Sequence, residues 1–226
     1  MLKETFISTV ALVSTALLPV SQAAGSLLSP VPDYLLVFNQ NEVVLAEETL
    51  DLTIREPNPD ANQGYTDNIL LALHYLKGDI KNPKINWDWV RQPFEVSFIL
   101  QSGEVFAFHE NVLAEYQNLQ VTINSRFFID EGYKSVWGLG GNGVCHLASL
   151  LNWVASEAGL EVMAKANHDF APVPGVAREY GTSIRSQSPN QNLYLTNSLD
   201  YPVIFKFIAD NQRVVLRISQ LNKIVD

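Results

Sequence analysis

The single cysteine of the chain, Cys145, lies directly after a turn rich in glycine and asparagine. Residues 138–143, GLGGNG, are glycine or asparagine at five of six positions, and only Val144 separates them from Cys145. Both types tolerate left-handed backbone and let another molecule approach closely. The apolar periodicity that follows predicts a helix from Cys145 to Ala158. A cysteine in the first turn of a helix meets free N–H groups and the positive end of the helix dipole, which favour a thiolate with a lowered pKa.

His168 is the base that the spacing brings closest to this cysteine. The predicted helix extends about 20 Å from Cys145 at 1.5 Å per residue. A strand returning after Gly159 covers about 3.3 Å per residue and comes level with Cys145 near residues 165–168. Nucleophilic acyl transfer needs such a pair, because the thiolate attacks while the imidazole carries the proton. Cys145 and His168 are therefore the predicted catalytic residues. The predicted oxyanion site consists of the N–H groups of Gly141, Gly143, Val144 and Cys145.

Other roles for Cys145 remain open at this stage. A lone cysteine is often a small buried apolar residue without chemistry. Zinc would be held by Cys145 together with His146, His168 and Asp169, but adjacent ligands without a second spaced pair are a weak pattern. The glycine-rich turn lacks the lysine and hydroxyl of a phosphate-binding loop. We therefore predict no metal and no cofactor.

Composition excludes several classes of partner. The chain has 226 residues, 47% of them hydrophobic, and a net charge of −9. Lysine and arginine nowhere cluster, so neither nucleic acid nor an anionic lipid surface is a predicted partner. With one cysteine the chain forms no internal disulfide, and its core alone must hold the fold.

The N-terminal residues resemble a secretory signal. Lys3 gives a weak positive end, residues 6–20 are apolar, and SQA at 21–23 suits a cleavage site. We predict a signal peptide over 1–23, with an uncleaved N-terminal anchor as the alternative, and a linker over 24–33. Residues 34–226 are predicted to form one domain without a membrane span, in a secreted or cell-envelope protein.

The pattern of elements predicts an α+β fold. Its largely antiparallel sheet packs with a few helices, and the cysteine helix beside the histidine strand suggests a papain- or transglutaminase-like core. The predicted helices cover residues 67–77, 87–90, 111–118 and 145–158. The predicted strands cover residues 34–38, 48–54, 94–100, 105–108, 119–129, 160–168, 181–186, 192–198, 202–209 and 214–219. Residues 55–64 are predicted to form a loop, and the strands at 94–100 and 105–108 a hairpin.

Residues 131–184, with NLYLTNSLDYPVIFKF at 192–207, resemble the VanW family. The likeness rests on the turn and helix GNGVC at 141–145, on GLE at 159–161 and on His168. It covers about the last 130 residues, with a motif core at about 94–219. The family is known from accessory genes of vancomycin-resistance clusters and from bacterial cell-envelope proteins, which implies an envelope location.

The chain departs from the family pattern at two places. His146 stands where glutamine usually follows the cysteine, and EYGTS at 179–183 stands where members often carry an aspartate. If that aspartate orients the histidine elsewhere, its role is either vacant in this chain or taken by Glu179 or an asparagine of NQN at 190–192. Further predicted orienting or substrate contacts are His146, Asp169 and Arg178. Arg178 would bind a substrate carboxylate or, as the favoured alternative, form an ion pair at the surface.

Two functions follow from these residues. The first is a cysteine-dependent amidase, peptidase or transpeptidase that acts on peptidoglycan stem peptides or related peptides. The alternative is a non-catalytic envelope-binding module, in which Cys145 and His168 are structural. The glycine-rich turn and HDFAPVPG at 168–175 would then form the recognition surface.

Overall fold

The computed structural model describes residues 42–81, 84–119 and 121–221. The helices are α1 (Pro59–Lys77), α2 (Trp87–Val90) and α3 (Val144–Glu157). The strands are β1 (Val43–Asp51), β2 (Phe94–Leu100), β3 (Val105–Ala107), β4 (Val121–Thr122), β5 (Ser135–Val136), β6 (Leu139–Gly140), β7 (Glu161–Ala164), β8 (Leu193–Thr196), β9 (Val203–Ala209) and β10 (Arg213–Gln220). The predicted signal peptide, linker and strand 34–38 lie outside the described residues.

Two four-stranded sheets and one small hairpin make up the β structure of the described residues. The first sheet has the order β1-β10-β9-β2 and is antiparallel throughout. The second has the order β4-β3-β8-β7, in which only β3 and β4 run parallel. Strands β5 and β6 pair with each other. The predicted α+β class with a largely antiparallel sheet is confirmed, while a papain- or transglutaminase-like core stays a prediction.

The two long helices supply the apolar surface that covers the first sheet. Along β9 and β10, alternate residues such as Phe207 and its partner Leu216 are fully buried. Helix α3 contacts α1, β1 and β10, and its Leu147, Leu151 and Val154 are fully buried. This spacing places the three side chains on one helix face, and the N-terminus of α3 lies at the end of this core.

Helix α1 begins earlier than predicted. Residues 55–64 were expected to be a loop, but the helix starts at Pro59 because Asn58 caps it by accepting a hydrogen bond from the Ala61 N–H, 3.0 Å away. Proline at the first helical position loses no hydrogen bond. The helix ends before Gly78, which has a left-handed backbone.

The predicted hairpin of residues 94–100 and 105–108 is wrong. Strand β2 pairs with β9 in the first sheet, whereas β3 pairs with β4 and β8 in the second. Asn197 separates the two strands because its side chain donates to the Leu100 carbonyl and its own carbonyl accepts from the Gly103 N–H. The connecting turn therefore passes from one sheet to the other.

Several predicted strands are shorter than the sequence pattern suggests. Of the described residues in the range 119–129, only 121–122 form a strand, because Phe127 has a φ of 62° and the Glu131 carboxylate accepts from the N–H groups of Arg126 and Phe128. Residues 181–186 form no strand, because their N–H groups bond to partners on different elements. The N–H groups of Thr182 and Ile184 donate to side chains of α3, and that of Ser183 donates to the Ala166 carbonyl. The helix predicted at 111–118 is a single 3-10 turn, Ala114–Tyr116.

Candidate active site

Cys145 is the second residue of α3 and lies in its first turn, as the sequence predicts, although the helix begins one residue earlier, at Val144. Gly143 caps the helix with a φ of 101°, and its carbonyl accepts from the N–H of His146 at 2.9 Å. A Cβ on Gly143 would lie 2.6 Å from the Tyr65 carbonyl oxygen in α1. Only glycine therefore combines this backbone with so close an approach of the two helices.

Two polar residues of α1 hold the turn that leads to Cys145. The side chain of Asn68 donates to the carbonyls of Lys134 and Asn142, at 3.0 and 2.9 Å. Its oxygen accepts from the Lys134 N–H at 2.7 Å. The neighbouring Asp67 is fully buried and accepts two hydrogen bonds from Arg91, at 2.8 and 2.9 Å, besides its ion pair with Lys134. Sequence analysis missed both residues, although polar residues just ahead of the apolar run of α1 were a usable signal.

A cavity of about 700 Å³ opens at the N-terminus of α3. It includes Cys145, His146 and His168, together with the predicted loop residues Gly141, Gly143 and Val144. The remaining lining residues are Arg55, Glu56, Tyr65, Arg126, Phe127, Phe128, Ile129, Asp130, Leu139, Gly140, Asn142, Phe170, Ala171, Pro172, Ile184, Arg185 and Ser186. The structure thus brings the predicted nucleophile and base into one cavity.

The thiol of Cys145 is held by the backbone of Ile184. The Ile184 N–H donates to the sulfur across 3.4 Å, and the sulfur lies 3.8 Å from the Ile184 carbonyl oxygen. The side chain is partly accessible, but the dense protein around it disfavours the thiolate. Burial raises the pKa of Cys145 to about 11, and the N–H groups of Ile184 and of Cys145 itself offset this only in part. The lowered pKa predicted from the helix N-terminus is therefore wrong for the free protein.

His168 lies in the loop after β7, not on the strand predicted to reach it, because β7 ends at Ala164. Its Nδ1 lies 2.7 Å from the carbonyl oxygen of Ala171. A carbonyl only accepts, so Nδ1 carries the proton of the neutral ring and Nε2 keeps its lone pair. The backbone of Ala171 thus orients this histidine, a role that the sequence assigned to Glu179 or an asparagine. Of those asparagines, Asn192 bonds to His109.

His146 is buried beside His168. Its ring centroid is 6.0 Å from that of His168 and 5.4 Å from that of Tyr65. Its Nδ1 has no hydrogen-bond partner in the described part of the chain. Burial, Arg55 and His168 lower the pKa of His146 to about 3, so the ring is neutral over the physiological range.

Three of the predicted site residues lie outside the cavity. Asp169 and Arg178 form an ion pair of 3.1 Å, with side chains 63% and 77% exposed. Glu179 is exposed as well. Arg178 therefore has Asp169 as its partner at the surface, and it does not line the cavity with Cys145.

Arg55 is a buried, charged cavity residue that the sequence did not reveal. It is only 3% exposed, and its Nη2 donates to the Pro174 carbonyl at 2.7 Å. Its Nε and Nη1 have no partner among the described residues. Burial lowers the pKa of the guanidinium to about 10, so it remains charged at neutral pH. Nothing in the turn-rich segment around Arg55 marks it as a site residue.

A family model described as VanW like protein matches residues 96–219. The chain belongs to the VanW family. No curated protein and no solved structure matches the chain. The VanW match spans β2 to β10 nearly completely and includes Cys145, His146 and His168, whereas Arg55 and α1 precede it.

Two kinds of feature are absent from the described residues of this VanW-like chain. Across 42–81, 84–119 and 121–221, no three histidine, cysteine, aspartate or glutamate side chains are grouped so that they could hold a metal ion. Over the same residues, no helix has the length and apolar character needed to cross a bilayer.

Proposed function

We propose that this VanW-like protein is an exported cysteine-dependent acyl-transfer enzyme that acts on peptide stems of the cell envelope. One observation carries the proposal. Cys145, in the first turn of α3, shares a cavity with His168, whose Nδ1 is bonded to a carbonyl and whose Nε2 is therefore free to accept a proton. A nucleophile, a base and a group that orients the base are the parts that acyl transfer requires.

The neutral thiol defines the order of events. As the sulfur of Cys145 attacks a peptide carbonyl, its proton passes to Nε2 of His168. The C–N bond then breaks, the imidazolium gives this proton to the leaving amine, and a thioester remains on the sulfur. Water or a second amine then attacks the thioester and loses a proton to His168. The C–S bond breaks, His168 returns the proton to the sulfur, and the product leaves as a carboxylic acid or a new amide. The raised pKa of Cys145 means that deprotonation accompanies attack and does not precede it.

The start of α3 supplies a donor for the developing oxyanion. Of the predicted donors, Val144 already donates to the Gly141 carbonyl at 3.2 Å. The N–H of Cys145 faces its own sulfur, where it lowers the thiol pKa. It is therefore a donor beside the carbonyl that the sulfur attacks, with the helix dipole adding to its effect.

The cavity and the predicted location favour a peptide of the envelope as the substrate. A volume of about 700 Å³ suits a short peptide segment. Ile129, Leu139 and Phe170 line the cavity with strongly exposed apolar side chains, which suit aliphatic parts of a ligand. The predicted signal peptide and the family's envelope context point to peptidoglycan stem peptides.

A trapped acyl-enzyme tests the proposal. The mature protein is incubated with disaccharide-peptides carrying tetrapeptide or pentapeptide stems, quenched in acid, and analysed by mass spectrometry of the peptide that contains Cys145. We expect a thioester adduct that lacks the leaving group. Cys145→Ala should abolish it, and His168→Ala should slow its formation by about 10²- to 10⁴-fold. Glu179→Gln is the matched control and should form the adduct at the normal rate, because Ala171 orients His168.

The binding module remains the second candidate, and one observation favours it. The thiol of Cys145 is held by the Ile184 backbone, and its pKa lies at about 11, as expected of a structural cysteine. If the stems bind without forming a thioester, and Cys145→Ala leaves their affinity unchanged, the acyl-transfer proposal is wrong and the module is supported.

A further inference from the structure

The cavity is cationic although the protein is acidic. The chain carries a net charge of −9, yet three arginines and two carboxylates line the cavity. Arg126 is already paired with Asp130 at 2.8 Å. The other lining carboxylate belongs to Glu56. The lining arginines thus outnumber the lining carboxylates by one, in a chain whose net charge is negative.

Arg55 is a buried charge of this cavity with two vacant donors. Its Nε and Nη1 are buried without a hydrogen-bond partner among the described residues, while Nη2 is fixed by the Pro174 carbonyl. Asp51 raises the pKa of this guanidinium from a distance but makes no hydrogen bond to it. A buried charge with vacant donors destabilises a fold unless a partner arrives. Guanidinium groups match the two oxygens of a carboxylate.

His146 adds a second vacant polar group near Arg55. The two side chains are close enough that Arg55 disfavours the charged form of His146. Nδ1 of His146 is buried without a partner in the described part of the chain. As a neutral ring, His146 can donate one hydrogen bond to an anion without adding a charge. The first turn of α3, which carries His146, contributes the positive end of its dipole to the same cavity.

We propose that Arg55, with His146 and the first turn of α3, binds a free carboxylate of the peptide substrate. The inference rests on the proposed function for the peptide nature of the ligand. Such a subsite would select stems with a free carboxylate over amidated stems, because an amidated stem would leave the donors of Arg55 vacant. Arg178, which the sequence suggested for this contact, is at the surface and paired with Asp169.

Binding of an acid and its amide tests this subsite without catalysis. The probes are Nα,Nε-diacetyl-lysyl-D-alanyl-D-alanine, which has one carboxylate, and the same peptide with a C-terminal amide. Affinities are measured by calorimetry on the mature protein with Cys145→Ala, which prevents turnover. We expect the acid to bind about 30-fold or more tightly than the amide, the usual consequence of truncating a buried charge pair.

Substitutions at two arginines separate the subsite from general charge effects. In the same background, Arg55→Met should remove the preference for the acid, and Arg178→Met should retain it. Arg55→Met should melt at the same or a higher temperature without ligand, because it removes a buried charge, so a folding defect is recognised separately. Equal affinities for acid and amide, no binding of either, or a preference that persists in folded Arg55→Met would each overturn the subsite.

Failure of the subsite and failure of the proposed function give different results. If the acid is preferred through Arg55 but no thioester ever forms on Cys145, the carboxylate subsite is supported and the acyl-transfer function is refuted. If acid and amide stems acylate Cys145 equally, both in the wild type and in Arg55→Met, the acyl-transfer function is supported and the carboxylate subsite is refuted.

Discussion

The backbone N–H of Ile184 points at the sulfur of Cys145 across 3.4 Å. The same segment also reaches the base, because the Gly181 carbonyl accepts from the His168 N–H at 3.2 Å. Residues 181–184 therefore position both members of the predicted catalytic pair. In the free protein this contact holds a neutral thiol, since burial raises the pKa of Cys145 to about 11.

Labelling of the thiol should follow this raised pKa. Only the thiolate reacts with iodoacetamide, so the rate for the folded protein should rise about tenfold per pH unit from pH 7 to pH 10 without reaching a plateau. His168→Ala should leave this profile unchanged, because the charge of His168 does not set the thiol pKa. Rates are measured by mass spectrometry of the peptide containing Cys145. A labelling rate that reached a plateau below pH 8 would contradict the raised pKa and would support the lowered thiol pKa expected from the helix N-terminus.

His146 should make the protein sensitive to acid. Its pKa is about 3 in the fold and 6.5 in the unfolded chain, so between these values the unfolded state binds one proton more. Stability should then fall as the pH drops from about 6.5 toward 3, by up to about 1.4 kcal/mol per pH unit for this proton. Urea unfolding of the wild type and of His146→Leu at pH 7, 5 and 4 checks this.

The difference between the two proteins isolates His146, because burial also lowers the pKa values of His74 and His109. His146→Leu should lose less stability on acidification than the wild type. Parallel losses in the two proteins would show that His146 titrates normally in the fold.

Gly143 should tolerate no side chain. Alanine there would combine a φ of 101° with a Cβ only 2.6 Å from the Tyr65 carbonyl oxygen, and α1 and α3 would have to move apart. We expect Gly143→Ala to lower the free energy of unfolding by about 3 kcal/mol or more. Gly159→Ala is the control at the other end of α3. Gly159 has a similar φ of 78° but open space, so about 1 kcal/mol is expected there. Equal losses at the two positions would contradict the close helix contact.

Asp67 should be a structural anchor of the site. It is fully buried and bonded to Arg91 and Lys134, both partly exposed. Asp67→Asn removes the charge but keeps the volume, and we expect a loss of about 2–4 kcal/mol in the free energy of unfolding. Asp130→Asn, at an exposed ion pair with Arg126, should change it by less than about 1 kcal/mol. A loss below 1 kcal/mol for Asp67→Asn would show that the buried pair does not hold the turn before Cys145.

The sequence predicted those parts of the site that lie close together along the chain. The turn and helix around Cys145 follow from glycine content and apolar period, which are local properties. The approach of His168 followed from the lengths of one helix and one returning segment. The family motif lies in the same stretch, so the resemblance and the spacing led to the same residues.

The features that the sequence did not predict depend on distant contacts. The thiol pKa follows from the protein packed around Cys145, which a helix position alone does not specify. Ala171 orients His168 through its backbone carbonyl, which any residue type could supply. Arg55 reaches the cavity through the fold of residues 52–58, about 90 positions before Cys145. The absence of a β2–β3 hairpin likewise follows from the side chain of Asn197, far along the chain.

Strand β1 closes one edge of the first sheet by pairing with β10, and the chain then continues through Arg55 into α1. Strand β1, Arg55 and helix α1 all precede the segment matched by the family model. If residues 43–77 detached, the edge of β10, the anchor of the glycine turn and the guanidinium of the cavity would be lost together. A ligand held by Arg55 therefore binds only the state in which this segment is docked. Binding of the ligand would therefore stabilise the docking of residues 43–77 onto the family domain, residues 96–219.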